Sequence, residues 1–329
     1  MKPTRGLLNG LDVERGRFWI QLGMFALLVY GGRLAIDIST YLPTFACAFL
    51  GEGRGGTCYL YPLQHQTNMP LAQLAGGRGI GVAISFVTFL LLFLLFNKSW
   101  CGFVCPLGTL QDWITRGRSR LRIRYGSFST DTGRRLGVIK YVLLALVVVL
   151  PMGISNAVFG LPKLSHEWAT PFCMVCPSRT VLPLFAGDTS QLAVEFSSVP
   201  KTALTGLGMA FTGVFLTGAF FKRRFFCLLC PMSALHYLCG KLAFLRLTKE
   251  GDKCTRCGNC TRVCDVGIRE IADDVESRNI VQDDCMMCFK CVGACPEEGC
   301  LQVSLLGLPL YTSTATGFFR RMERKAHRG

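Results

Sequence analysis

The feature that most constrains this chain is a cysteine spacing, C-x2-C-x2-C-x3-C, which occurs twice within about forty residues near the carboxyl end. In two-cluster ferredoxins, each such run supplies three ligands to one [4Fe–4S] cluster and its fourth cysteine to the other. The spacing therefore predicts two [4Fe–4S] clusters. Their ligands would be Cys254, Cys257, Cys260 and Cys295 for one, and Cys285, Cys288, Cys291 and Cys264 for the other. Zinc is the disfavoured alternative, since it is typically held by C-x2-C pairs.

Composition indicates a membrane protein. Of 329 residues, 50% are hydrophobic and only 17% are charged, which is too apolar for an ordinary soluble chain. The formal net charge of +15 has no nucleic-acid recognition motif beside it, and the basic residues gather next to apolar runs, as juxtamembrane charge does. We expect membrane lipid as a partner and no nucleic acid.

Four apolar segments, 18–38, 79–96, 136–155 and 203–221, are each close to the roughly 20 residues that cross a bilayer. The predicted fold is thus a mainly α membrane protein with four transmembrane helices and an internal repeat. A small α+β domain like a two-cluster bacterial ferredoxin would be attached to it. The predicted domains are a transmembrane domain at 1–240, the ferredoxin-like domain at 241–306 and a basic tail at 307–329.

Basic residues predict the orientation, because cytoplasmic loops carry an excess of lysine and arginine. The segment between the second and third apolar runs is rich in them: Lys98, Arg116, Arg118, Arg120, Arg122, Arg124, Arg134 and Arg135. Both termini and the ferredoxin-like domain are therefore expected in the cytoplasm of a bacterium, on a multi-pass protein of the inner membrane. A reducing compartment also suits cluster assembly, which needs reduced thiols.

An internal repeat follows the second and fourth apolar runs, which end in FNKSWCGFVCPLGTLQDW and FKRRFFCLLCPMSALHYL. The repeat would bring Cys101, Cys105, Cys227 and Cys230 together on the cytoplasmic face. Soft thiolates select iron–sulfur clusters, copper(I) or zinc, so a further redox or metal centre is one interpretation. The alternatives are turns that only shape helix ends, or reversible disulfides.

A second set of cysteines is predicted on the outer face: Cys47, Cys58, Cys173 and Cys176. These residues would form disulfides or bind a cluster or metal. His65 and His166 are expected on the same face, either as structural residues or as proton acceptors of a quinol site. Cys239 and Cys300 fit no ligand spacing and are expected to be packed thiols.

One residue departs from the usual ferredoxin pattern, because Asp265 follows Cys264 where bacterial ferredoxins have proline. A carboxylate disfavours the more negative reduced state of a neighbouring cluster. Unless that charge is screened, the cluster held by Cys264 should have the lower reduction potential.

Together, CGFVCPLGTLQDW, RRFFCLLCPMSALHYL and the doubled cluster motif resemble the NapH and NosR type of membrane polyferredoxins, with MauN and CcoG as relatives. The resemblance implies an inner-membrane protein that passes electrons from the quinol pool or a cytoplasmic donor to a partner reductase, or that supports maturation of such an enzyme. The second turn departs from the family's C-x3-C-P and reads C-x2-C-P. The outer Cys173-x2-Cys176-Pro177 turn lies outside the common NapH pattern.

The leading expectation is an electron-transfer subunit, within a membrane complex of redox partner proteins, that could carry electrons across the bilayer. No nucleotide-binding motif and no substrate site are evident, so the chain would be a carrier or an oxidoreductase subunit. The alternatives are an assembly or metal-reducing factor for a copper or haem enzyme, and an iron–sulfur redox sensor.

Overall fold

The computed structural model describes residues 6–9, 11–34, 36, 42–50, 56–123, 130–156, 168, 170–240, 242–281 and 284–326. Contacts between residues divide the chain into two compact units. The first, here called the sheet unit, comprises Met1–Ile20, Leu92–Phe103 and His236–Gly329. The second, the helical unit, comprises Gln21–Leu91 and Val104–Leu235. The domain boundaries predicted from the sequence stay a prediction.

Helices and two short paired strands make up the first 240 residues. The helices are α1 (Val13–Tyr30), α2 (Leu60–Thr67), α3 (Leu71–Leu74), α4 (Gly77–Phe96), α5 (Pro106–Arg120), α6 (Thr130–Ser155), α7 (Pro171–Val175), α8 (Pro177–Phe185), α9 (Val199–Phe221) and α10 (Pro231–Gly240). The strands β1 (Pro43–Thr44) and β2 (Thr57–Cys58) pair in parallel.

The remainder belongs to the sheet unit and alternates strands with short helices. In chain order these elements are β3 (Leu245–Lys249), α11 (Asn259–Val263), α12 (Glu270–Asp273), α13 (Lys290–Gly293), β4 (Leu301–Leu305), β5 (Leu308–Thr312) and α14 (Ala315–Ala326).

Within the described residues, three helical stretches are long and apolar enough to cross a bilayer. They are Gly77–Phe96, Arg135–Ser155 and Val199–Phe221, with mean hydropathies of 2.6, 2.3 and 1.6. Only 11%, 28% and 33% of their apolar windows are buried inside the protein, so most of their side chains are free to face lipid. These stretches overlap the second, third and fourth spans predicted from the sequence.

The first predicted span, 18–38, overlaps α1, which ends at Tyr30 and is not one of these three stretches. Three charged residues at its start, Glu14, Arg15 and Arg17, lower its hydropathy. Residues 35 and 37–41 lie outside the described part of the chain. A fourth span therefore stays a prediction.

The core of the helical unit forms around α9, against which α5, α7 and α8 pack. Aromatic side chains fill it, including Phe215 of α9 and the rings of Tyr59 and Phe89, which stack with centroids 4.1 Å apart. Gly208 of α9 lets the backbone of α7 approach closely, because a Cβ there would lie 2.7 Å from the carbonyl oxygen of Met174. The short helix α7 thus packs against the middle of an apolar span.

A buried ion pair ties α5 to the residues after α9. Arg224 donates through Nε and Nη2 to the two carboxylate oxygens of Asp112, at 2.9 and 2.6 Å. Gln21 of α1 donates to the same carboxylate at 2.8 Å. Arg224 has a positive φ of 53° and a fully buried side chain. The pair therefore fixes a strained turn directly before Cys227 and Cys230.

The sheet unit is built on an antiparallel sheet of order β3-β4-β5, in which Leu247 faces Val303. Its core contains Ile268, Ile271 and Ile280, and Val281 packs against it. Val275, in the same segment between the two cysteine runs, is not part of this core.

The Asp112–Arg224 pair gives a stability prediction. Asp112→Asn leaves the buried Arg224 charge without its carboxylate, which should lower the free energy of unfolding by about 3–5 kcal/mol. Chemical or thermal unfolding of the detergent-solubilised protein measures the loss. The control is Glu195→Gln, which breaks the exposed Lys201–Glu195 pair of 2.9 Å and should leave the free energy of unfolding almost unchanged. Equal losses in the two variants would contradict the structural role of Asp112.

Candidate functional site

Two cavities in the sheet unit are lined by cysteines. The first is bounded by four cysteines of the doubled motif: Cys254, Cys257, Cys260 and Cys295. Lys249, Ile271 and Leu301 also line it. Cys257 is exposed, so this cavity has an edge at the protein surface.

The second cavity is bounded by the other four cysteines of the motif: Cys264, Cys285, Cys288 and Cys291. Each cavity takes three cysteines from one run and the fourth from the other. The two enclose similar spaces, about 320 and 340 Å³ including their openings. Similar walls and sizes indicate two sites for similar groups.

The loops around the two cavities share one backbone conformation. In the first run Arg256 and Gly258 have positive φ angles of 52° and 70°, and in the second run Met287 and Phe289 have 47° and 60°. These are the same positions in each motif, two and four residues after the first cysteine. A left-handed conformation costs a non-glycine residue free energy and clusters at functional sites. Left-handed residues at the same two positions therefore make both loops curve around their thiols.

Burial favours the protonated form of these thiols when no positive charge lies beside them. It raises the pKa of Cys285 to about 12 and that of Cys264 to about 11, and it raises the pKa of Cys291 well above the ordinary value. In the first cavity, the hydrogen bond with Cys300 lowers the pKa of Cys295 to about 7. Buried thiolates therefore need compensating positive charge, which the irons of a cluster supply.

The donor set fits [4Fe–4S] clusters. Each cavity offers four thiols and mostly apolar walls, which is the ligand set of such a cluster. Within the described residues, no three His, Cys, Asp or Glu side chains form a group that could hold a single metal ion. Thiols spaced around a cavity suit a multi-iron cluster rather than one zinc ion.

Asp265 lines the second cavity, but its charge is paired. Its Oδ2 lies 2.6 Å from Nζ of Lys290 and 3.3 Å from Nη1 of Arg17. The carboxylate and Arg17 are both buried. The predicted lowering of the cluster potential depended on an unscreened carboxylate, and two cations screen this one.

The segment that follows α4 packs against the second cavity loop. A Cβ at Gly102 would lie 2.6 Å from the carbonyl oxygen of Met286, and Arg17 donates from Nε to the carbonyl oxygen of Gly102 at 3.0 Å. The rings of Phe103 and Phe289 lie 5.5 Å apart. The end of the apolar helix α4 therefore leads directly to the second cavity.

Cys101, in this same segment, has a histidine neighbour. Its Sγ lies 3.7 Å from Nδ1 of His236. Complete burial and the nearby Lys98 charge lower the pKa of His236 to about 3, so the ring is neutral. Of the predicted inner set, Cys101 thus belongs to the sheet unit, whereas Cys105, Cys227 and Cys230 belong to the helical unit.

In the helical unit, members of both predicted cysteine sets pack against one core. Cys105 and Cys230 of the inner set, and Cys58 and Cys176 of the outer set, all contact it. Cys47 is buried in a neighbouring core with Leu182. All of the cysteines are free thiols. The disulfides considered for both sets are absent from this structure of the described residues.

The other predicted residues are placed as follows. His65 lies on α2, with its ring 4.3 Å from that of Tyr61. His166 lies outside the described residues. Cys239 is partly buried on α10. Cys300 is buried, as a packed thiol should be, but it also lines the first cavity.

Sequence reasoning missed several residues that form these sites. Cys300 was set aside because it fits no ligand spacing, although it is a fifth thiol in the first cavity. His236 and Arg17 gave no signal, since their partners are distant in the sequence.

Comparison with known proteins agrees with this geometry. A family model described as a 4Fe-4S binding domain matches residues 79–124 and 202–248, and a 4Fe-4S dicluster domain matches residues 246–296. No solved structure matches the chain.

Relatives include proteins of bacterial redox systems. YccM of Escherichia coli K12, named as an electron transport protein, is 26% identical over 92% of this chain and 79% of its own length. NirI of Paracoccus denitrificans is 29% identical over 86% of this chain and 36% of its own. The ferredoxin-type protein NapH of Escherichia coli K12 is 25% identical over 70% of this chain and 71% of its own. Proteins named MauN and NosR also match.

The resemblance drawn from the motifs is thereby confirmed. The 4Fe-4S domain models and the relatives named NapH, MauN and NosR support a polyferredoxin of this type. Three apolar helices among the described residues suggest a membrane protein. The names of the relatives support a role in iron–sulfur electron transfer.

The paired carboxylate yields a redox prediction. Asp265→Asn removes a negative charge and leaves Arg17 and Lys290 unneutralised beside the second cavity. The reduction potential of a cluster there should rise, because added positive charge favours the more negative reduced state. A redox titration followed by EPR measures it.

The matched control is Asp274→Asn. Asp274 lines neither cavity and is only partly buried. It should leave both potentials unchanged. A fall, or no change, in the potential of the Asp265→Asn protein would contradict the electrostatic role of Asp265.

Proposed function

We propose that this protein transfers electrons through two [4Fe–4S] clusters in the sheet unit, between the quinol pool or a cytoplasmic donor and a partner oxidoreductase. One cluster would be held by the four motif cysteines of the first cavity and the other by those of the second. The single observation that carries the proposal is the pair of cavities of similar size. Of the motif cysteines, each cavity is lined by three from one cysteine run and one from the other.

The clusters would supply one-electron carriers without proton chemistry. The protein residues determine how partners reach them. Cys257 is exposed at the edge of the first cavity, where a water-soluble partner could approach. None of the four motif cysteines of the second cavity is exposed, and Phe103, which follows α4 in the chain, contacts Phe289 of the loop around it. This difference in exposure supports electron transfer between a partner at the first cavity and the more buried second cavity.

Basic residues support a cytoplasmic position for the sheet unit. Lys222, Arg223 and Arg224 follow α9 directly, and the loop after α4 is rich in arginine. Two relatives, NapH and MauN, are named as ferredoxin-type proteins. We therefore place the protein in a bacterial inner membrane, beside a partner oxidoreductase.

Replacing one ligand in each cavity tests the two-cluster proposal. Cys260→Ser should abolish the EPR signal of one reduced cluster and Cys291→Ser that of the other, each with a loss of about four irons per chain. Cys239→Ser is the control, since Cys239 lines neither cavity. Loss of both signals in each variant would indicate misfolding. Full iron content in either variant would refute that ligand assignment.

A reporter fusion tests the orientation. Green fluorescent protein fused after Gly329 should fluoresce in the bacterial host, and alkaline phosphatase fused there should be inactive, since the first folds in the cytoplasm and the second needs periplasmic disulfides. Fusions within residues 187–197, between α8 and α9, should give the reverse pattern. Active phosphatase after Gly329 would place the sheet unit on the other side.

A further inference from the structure

The helical unit contains two local arrangements that are built alike, although the chain forms them from different segments. In the first, Cys58 precedes α2, and a Phe172-Cys173-x2-Cys176-Pro177 turn forms α7 and starts α8. In the second, Cys105 precedes α5, and the equivalent turn carries Cys227 and Cys230 before α10.

A buried glutamine joins the parts of each arrangement. Gln64 lies six residues after Cys58, and Gln111 lies six residues after Cys105. Oε1 of Gln64 accepts a hydrogen bond from the backbone N–H of Phe172 at 3.3 Å, and Oε1 of Gln111 accepts one from Phe226 at 3.0 Å. Both glutamines are completely buried. Two equivalent buried amides thus hold two equivalent cysteine turns.

The first arrangement has an additional contact to sulfur. Nε2 of Gln64 lies 3.0 Å from Sγ of Cys173 and donates to it, while the same nitrogen lies 2.8 Å from the carbonyl oxygen of Leu60. An amide that donates to sulfur is a typical outer partner of a cluster thiolate. Gln64 therefore fixes both the backbone and the sulfur of this turn.

Four thiols converge in the first arrangement. The backbone N–H of Cys58 donates to the carbonyl oxygen of Ala46 at 2.8 Å, which brings Cys58 beside Cys47. The backbone N–H of Cys176 donates to the carbonyl oxygen of Phe172 at 2.8 Å, which closes the turn that carries Cys173. Gln64, on the helix that follows Cys58, contacts this turn. The turn itself packs against Gly208, in the middle of α9.

A positive charge lies beside these thiols. Arg179 of α8 donates to the carbonyl oxygen of Met174 at 3.3 Å and lies over the ring of Phe49 at 5.1 Å. Its backbone N–H donates to the carbonyl oxygen of Cys176 at 3.0 Å. A cluster with four thiolate ligands is an anion, so a guanidinium beside it reduces the cost of burying it.

We propose that Cys47, Cys58, Cys173 and Cys176 bind an additional iron–sulfur cluster within the helical unit, and that Gln64 is a positioning residue for it. The 4Fe–4S family match covers the second arrangement, which carries Cys105, Cys227 and Cys230, and it does not include any of these four residues. Their structural equivalence to the matched arrangement extends the same ligand chemistry to the first one. This inference goes beyond the two-cluster proposal and does not depend on it.

Iron stoichiometry of the full-length protein tests this site. The protein is purified anaerobically in detergent, and iron, acid-labile sulfide and EPR signals are measured. A Cys173→Ser, Cys176→Ser double variant should lose about two to four irons and as many sulfides per chain, while the signals of the sheet unit stay. Cys239→Ser should lose none. An unchanged iron and sulfide content in the double variant would overturn the proposal.

Two outcomes separate this proposal from the previous one. Loss of the sheet-unit signals in Cys260→Ser and Cys291→Ser with no effect of the double variant would leave the two-cluster proposal intact and refute this site. Loss of iron in the double variant, with no loss of signal in Cys260→Ser and Cys291→Ser, would support this site and refute the two-cluster proposal.

A measurement on the unaltered protein covers the case of a variant that does not fold. The anaerobic protein is denatured with an alkylating agent and no reductant, and its peptides are analysed by mass spectrometry. Cluster ligands are released as thiols and should be alkylated at all four positions. Alkylation of these cysteines only after reduction would show disulfides and overturn the proposal.

Gln64→Met tests the positioning role, since it keeps the side-chain volume and removes the three hydrogen bonds of the amide, to Leu60, Phe172 and Cys173. The cluster should stay bound, but its potential should fall, because N–H donation to a ligand sulfur favours the reduced state. Gln111→Met is the matched control, and it should leave this potential unchanged. A potential unmoved in Gln64→Met, or moved equally in both variants, would refute the positioning role.

Discussion

The structure of the sheet unit depends on burying thiols that cannot ionise without a positive partner. Burial, the largest cause, and neighbouring thiols raise the pKa of Cys264, Cys285 and Cys291. Two loops with left-handed residues at equivalent positions curve around these thiols and those of the first cavity. Cluster irons would compensate the thiolate charge, because they would replace the protons and crosslink the loops. The small antiparallel sheet then needs only a modest apolar core.

Buried carboxylates in both units are also neutralised by partners of opposite charge. Asp265 beside the second cavity is matched by Arg17 and Lys290, and Asp112 in the helical unit is matched by Arg224. Each pair is buried and fixes a segment next to cysteines. Removing one partner leaves a buried charge uncompensated, which is why such pairs specify local geometry more than they add net stability.

Much of this could be predicted from the sequence, where the signal is local. The spacing of the doubled motif places three cysteines of each run in one loop, and the cavities are lined accordingly. The spans over α4, α6 and α9 follow from uninterrupted apolar runs. The first predicted span, 18–38, extends beyond the end of α1 at Tyr30, and it stays a prediction.

The sequence by itself determined the ligand chemistry and the apolar helices, because both depend on residues close together in the chain. The tertiary structure alone decided which distant groups meet. It brings Gln64 to Cys173 and His236 to Cys101, and it places cysteines predicted for opposite faces against one core. The physical reason is that such contacts arise from the packing of whole helices. The spacing of residues that are close in the sequence gives no information about this packing.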